Sequence, residues 1–137
     1  MARVIGLDLG EVRIGVAVSD PEGRVAVPSG TILVKGPPAD LKTVAALVRE
    51  HDAEAVVVGH PKSLSGERGG AARHAEGFAD GLRMILEVPV HLQDERLSTV
   101  EAERGLRAAG AGGRDRRRAV DQAAAAVILQ SWLDGRR

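Results

Sequence analysis

Cysteine is absent from the sequence, so no disulfide staples the chain and no thiolate is available as a nucleophile or zinc ligand. Tyrosine is absent too. Phe78 and Trp132 are the only Phe, Trp or Tyr residues, which argues against the aromatic platform on which many single-strand binders stack bases. Charge of neither sign is in excess, with 19 Lys and Arg against 19 Asp and Glu. Retention of nucleic acid by bulk electrostatics alone, a habit of basic domains, therefore has no support. No apolar run approaches the roughly 20 residues of a membrane helix. Met1-Ala2-Arg3 leads directly into a segment of strand length with no signal-peptide core. A cytoplasmic location without membrane attachment is the expectation.

What is present describes an ordinary globular chain. Apolar residues make up 44% and charged residues 28% of 137 positions, enough to bury one core without staples. One domain spanning residues 1–137 is expected. Two apolar strands, Val4 to Leu9 and Ile14 to Ser19, flank a tight turn at Gly10-Glu11-Val12. The turn Asp20-Pro21-Glu22-Gly23 then leads into a third strand from Arg24 to Val34, completing an antiparallel meander. Pro28, which offers no backbone donor, marks an edge position or a bulge in it.

After Gly36-Pro37-Pro38 the apolar period becomes helical at Leu41, Val44, Ala45 and Val48, with Asp40 as the expected N-cap. Ala55 to Gly59 reads as a strand covered on both faces. A Gly- and Ser-rich loop from His60 to Gly70 precedes a helix carrying Ala75, Phe78, Ala79, Leu82 and Ile85, and a short strand follows at Val88 to Leu92. Ser98-Thr99-Val100-Glu101 has capping-box spacing and starts a helix expected to stop at Gly110. A basic link from Ala111 to Arg114 joins it to a final helix, Asp115 to Leu133. The order βββαβαβαα predicts an α/β fold in which one five-stranded mixed sheet, the meander plus two further strands, is flanked by helices.

Three acids ask for explanation. Asp8 follows Val4-Ile5-Gly6-Leu7 in a strand with apolar surroundings, where a carboxylate must be neutralised, hydrogen-bonded or protonated. A plainer reading bonds it to the Gly10 turn. Glu95 closes the last strand within Asp94-Glu95-Arg96, where an ion pair with Arg96 or a solvated strand end would also account for it. Asp121 shares a helical row with Ala125, Ile128 and Trp132 and so lies on or beside the buried face. Its position in the first turns of a helix is alternatively explained by the macrodipole, worth roughly 0.3–1 kcal/mol. Acids at strand ends and on a covering helix can converge above a sheet, and Mg²⁺ prefers such all-oxygen sites. Zinc is disfavoured by the absence of Cys and of paired His spacing. His51, His60, His74 and His91 are scattered and read as surface or loop residues.

With their neighbours, these residues resemble the YqgF family of RNase H-like nucleases, also called the RuvX type. The matching stations are Gly6-Leu7-Asp8 with Gly10, Arg13 and Gly15; Val58-Gly59 with Pro61 and Gly66; Asp94-Glu95-Arg96-Leu97-Ser98-Thr99 with Ala102 and Glu103; and Val120-Asp121 with Ala124-Ala125 and Ile128-Leu129-Gln130. The resemblance implies an RNase H-like fold, Asp8, Glu95 and Asp121 as catalytic metal ligands, and Mg²⁺ or Mn²⁺ as cofactor. Asp8 would bridge two ions, with Glu95 and Asp121 each completing one shell. The implied substrate is precursor 16S ribosomal RNA or a four-way DNA junction, and symmetric cutting of a junction would call for a homodimer. His60 where the family often has Leu, Lys62-Ser63 in the loop and Gln122 beside the helix acid depart from the pattern and bear on substrate contacts alone.

Phosphate contacts are expected from Arg13 and from the basic cluster Arg114, Arg116, Arg117 and Arg118, with Lys62, Arg68 and Arg96 as further candidates. For Arg13 the alternatives are a solvated hairpin tip or a salt bridge to Glu11; for the cluster, a solvated helix entrance. Two other function classes fit parts of the pattern. Asp8-Leu9-Gly10 with Gly15 also suits a phosphotransferase of the sugar-kinase and actin type, but a second such domain is lacking. A non-catalytic ribosome-assembly or nucleic-acid-binding module has no use for three acids facing phosphates.

Overall fold

A computed structural model describes residues 3–61, 69–95 and 114–136, with the side chains of 114–116 outside the description. Strands β1 (Arg3–Leu9), β2 (Arg13–Ser19) and β3 (Ala26–Leu33) form the meander. Helix α1 (Pro37–His51), strand β4 (Ala53–His60), helix α2 (Gly70–Ile85), strand β5 (Val90–Asp94) and helix α3 (Arg114–Gly135) follow. The sheet order is β3-β2-β1-β4-β5. β1 pairs antiparallel with β2, and β2 with β3, whereas β4 runs parallel to both β1 and β5. The mixed five-stranded sheet expected from the sequence is therefore present. Among the described residues no helix is long and apolar enough to cross a membrane.

Side chains alternate across the strands and divide the core in two. Ile5, Leu7, Ile14, Val16, Val56 and Val58 pack with Val44 and Val48 of α1 and with Ala75, Phe78, Ala79 and Leu82 of α2. On the opposite face, Val4, Ala17, Ala55 and Val57 meet Ala124, Ala125, Ile128, Leu129 and Leu133 of α3. The second face is floored by small residues, so α3 lies unusually near the strands. A Cβ on Gly6 would stand 2.6 Å from Leu129 Cβ, closer than real Cβ contacts allow.

Pro28 sits on the edge strand β3, opposite Ala17 where the β2–β3 register shifts, so it satisfies both expectations at once. Asp40 is not the N-cap of α1. The helix begins at Pro37, with prolines in its first two positions and Gly36 as the cap, because proline loses nothing where the backbone donor is unused. Asp40 instead reaches back from the first turn and accepts from the backbone N–H groups of Lys35 and Gly36 at 3.0 and 3.1 Å. Two element boundaries also move: the last strand runs two residues later than the sequence suggested, and Arg114 belongs to α3 rather than to a link. The predicted helix from Ser98 to Gly110 lies outside the described residues.

The β2–β3 turn is tied by one side chain. The Asp20 carboxylate accepts from Val25 N–H at 3.0 Å and Arg24 N–H at 2.7 Å, and these bonds, with Val25's the larger, hold its pKa below the ordinary 3.8. A depressed folded-state pKa stabilises the native state above the unfolded pKa, and that contribution disappears as pH falls through the folded value. Asp20→Asn is therefore expected to melt lower than the parent at pH 7 and to approach it only as pH falls through the depressed native-state pKa, where the Asp20 carboxyl becomes uncharged. Thermal melts across this range check the prediction.

Candidate metal and nucleic-acid site

The three parallel strands β1, β4 and β5 end on the same side of the sheet, and the carboxyl ends of such strands are where α/β sheets bind ligands. Asp8 is the penultimate residue of β1, and it alternates onto the α3 face with Val4 and Gly6. Across the β1–β2 ladder it pairs with Gly15. Directly over Gly15 lies the backbone of α3 at Asp121: a Cβ there would meet the Asp121 carbonyl oxygen and stand 2.6 Å from its carbonyl carbon. Glycine at this point is what lets the helix bring Asp121 down beside Asp8.

Glu95 follows β5, held by its backbone N–H donating to the His60 carbonyl at 3.3 Å. Its carboxylate lies over Gly59, where a Cβ would stand 2.5 Å from Oε2. Gly59 occupies the end of β4, the strand next to β1. Thus Asp8, Glu95 and Asp121 all sit at the same end of the α3 face. Their exposures are 4%, 1% and 6%, which decides against a solvated strand end for Glu95. Charges this deeply buried need compensation by cations or hydrogen bonds.

Part of that compensation comes from Arg13. Its Nε donates to Asp121 Oδ2 at 3.0 Å, rather than reaching Glu11 or standing free at the hairpin tip. As the side chains stand, no three His, Asp or Glu residues among the described ones form a ready-made metal cluster. The donor chemistry nevertheless fits a hard divalent ion: three carboxylates and no sulfur, buried at one end of the α3 face.

The remaining candidates are distributed as follows. Arg117 and Arg118 are exposed on the opening turns of α3, one turn before Asp121. Arg114 and Arg116 belong to the same helix, with side chains outside the description, and Lys62, Arg68 and Arg96 are outside the described residues altogether. His60 corrects a sequence reading. It is the last residue of β4 and only 7% exposed, on the α2 side of the sheet, with Nε2 2.7 Å from Glu76 Oε2. The available signal was Glu76 itself, one position after Ala75 on an otherwise apolar face. Sequence reasoning also missed Gly6, Gly15 and Gly59 as a common floor, although glycines alternating onto one face opposite an alanine-rich helix announce close packing.

Residues 2–135 match the RuvX family, described as Holliday junction resolvase. A protein of Rhodococcus jostii (strain RHA1), named "Putative pre-16S rRNA nuclease", is 50% identical over 139 residues, covering 98% of this chain and 78% of the relative. One of the same name from Anaeromyxobacter dehalogenans (strain 2CP-C) is 49% identical, with 98% of both chains covered. Among solved structures, RuvC from T. thermophilus in complex with a Holliday junction substrate superposes with a TM-score of 0.58 at 18% identity, covering 99% of this chain and 96% of that one. At that identity the likeness speaks to the fold, and the fold is that of the RuvC-like, RNase H-fold resolvases. On the family match over residues 2–135 and relatives about half identical across 98% of the chain, the chain belongs to the RuvX family.

Proposed function

We propose that the protein is a divalent-metal-dependent nuclease that hydrolyses phosphodiester bonds in maturing the 5′ end of precursor 16S ribosomal RNA in the cytoplasm. The observation that carries this reading is the burial of Asp8, Glu95 and Asp121 at one end of the α3 face, over a floor of glycine. Three acids gathered where a phosphate must approach are unfavourable for a plain binder and useful to an enzyme that binds Mg²⁺ or Mn²⁺. The curated relatives' names supply the RNA substrate.

In this reading Asp8, Glu95 and Asp121 hold the metal. When bound, divalent ions of such nucleases activate water and stabilise the leaving oxygen of the phosphodiester. The chain's own residues provide the frame. Asp8 is fixed by the β1–β2 ladder, Asp121 by the seating of α3 on Gly15, and Glu95 by the bond of its backbone to His60. Arg117 and Arg118 present positive charge to the nucleic-acid backbone one turn from Asp121; Arg114, Arg116, Lys62, Arg68 and Arg96 add to it. Such contacts orient the strand and carry no sequence preference.

Cleavage of a four-way DNA junction is the second reading, favoured by the family description. Symmetric cutting there needs two active sites and thus a homodimer. Incubating the protein with a labelled ribosomal RNA precursor and with a four-way junction, each in Mg²⁺, Mn²⁺ or chelator, separates the readings. Metal-dependent cuts in the precursor alone support the first and cuts in the junction alone the second. Binding without cleavage in every lane would remove the enzymatic reading.

A further inference from the structure

Arg13 opens β2 and alternates with Gly15 and Ala17 onto the α3 face, which places it at the mouth of the acidic end. Its side chain is 16% exposed and that of Asp121 9%, so the bond between them is largely shielded from solvent. The guanidinium provides the buried Asp121 with a countercharge from within the chain. Among the described residues Asp121 is the acid that Arg13 engages, and it does so through Nε. A guanidinium fork pairs with phosphate by the same charge-assisted hydrogen bonds that it makes to a carboxylate.

We propose that Arg13 is an electrostatic latch on this site. Without metal, its guanidinium occupies the Asp121 carboxylate. A phosphate of the incoming nucleic acid draws it off, and Asp121 is then free to join Asp8 and Glu95 around a divalent ion. The proposal rests on the metal-nuclease reading and adds a regulation to it. A guanidinium and a metal ion repel each other across one carboxylate, so ion binding alone must displace the latch, whereas nucleic acid gives the displaced guanidinium a second anion to pair with. Metal and nucleic acid consequently bind with positive coupling, each raising the affinity for the other by the same factor. Arg13 thereby has a part beyond a simple phosphate contact: it links the arrival of substrate to completion of the ligand set.

The test is calorimetric titration of Mn²⁺ into the full chain without nucleic acid, for the parent, Arg13→Gln and Asp8→Asn, with thermal melts to establish folding. The latch requires Arg13→Gln to bind Mn²⁺ about tenfold more tightly than the parent, within the usual range of coupling between sites, while its metal-free melting temperature falls. Asp8→Asn should abolish binding. Equal or weaker Mn²⁺ binding by Arg13→Gln, with Asp8→Asn still abolishing it, overturns the latch and leaves the metal site standing. Binding unaffected by Asp8→Asn, or absent from both the parent and Arg13→Gln, overturns the metal reading and the latch with it. Should Arg13→Gln fail to fold, Arg13→Lys keeps a charge but loses the planar fork. The latch then requires tighter Mn²⁺ binding in the same direction by a smaller factor, and unchanged affinity overturns it.

Discussion

Gly15→Ala is expected to destabilise the protein by about 3 kcal/mol or more, at the upper end of what overpacking costs, and to suppress cleavage with it. The added methyl group would meet backbone, not the end of a pliable side chain: the Asp121 carbonyl lies where Cβ must go. Neither partner can turn aside, because β2 is held by β1 and β3 on both sides and the Asp121 peptide is within a helix. The helix must lift. Lifting α3 separates Asp121 from Asp8 and loosens Leu129 on Gly6 and Ile128 on Gly59, so damage spreads along the whole α3 face. Chemical denaturation gives the stability change, and cleavage at a temperature where the variant remains folded gives the activity. A variant as stable and as active as the parent would show that the contact of α3 with Gly15 does not set the height of the helix over the sheet.

The opposite pattern is expected for Asp8→Asn: activity lost, stability kept. Cleavage should fall by roughly a thousandfold, since the several kcal/mol of transition-state stabilisation attributed to metal ions correspond to about tenfold per 1.4 kcal/mol. The melting temperature of the metal-free protein should hold or rise, because asparagine fits the same space and removes a charge that is 4% exposed beside two other buried acids. Added Mg²⁺ should raise the melting temperature of the parent and leave that of the variant unchanged, since a ligand stabilises the state it binds. Loss of both activity and stability would make Asp8 a structural residue bonded to the Gly10 turn. The two substitutions thus separate the floor of the site from its chemistry.

The architecture was legible in the sequence wherever one local signal dominated. The alternation of β1 and β2, the turn at Asp20 to Gly23 and the apolar run of β4 each point to a single conformation, and Pro28 announced the edge strand on which it lies. Asp8 and Asp121 were legible as anomalies, carboxylates placed among residues that had to be buried. Glu95 was not, because Asp94-Glu95-Arg96 reads as a polar strand end until β4 and α3 close over it. The same holds for the bond from Arg13 to Asp121, whose partners are separated by 108 positions. No local pattern encodes that distance; it follows from the seating of α3. Asp40 shows a different failure, where a good capping residue lost its place to two prolines and satisfied the helix entrance from inside.

The placement of α3 has a further consequence for the protein during its own synthesis. All five described strands are encoded before α3, and chains emerge from the ribosome with the N-terminal part first. The meander and β4 can therefore form while Gly6, Gly15 and Gly59 still face water and Asp121 has not yet been made. A nascent chain at that stage has Asp8 and can have Glu95, but it lacks the third acid and the helix that shields them. The acidic end is thus completed only when α3 docks, so the proposed metal site cannot assemble on a nascent chain that still lacks Asp121.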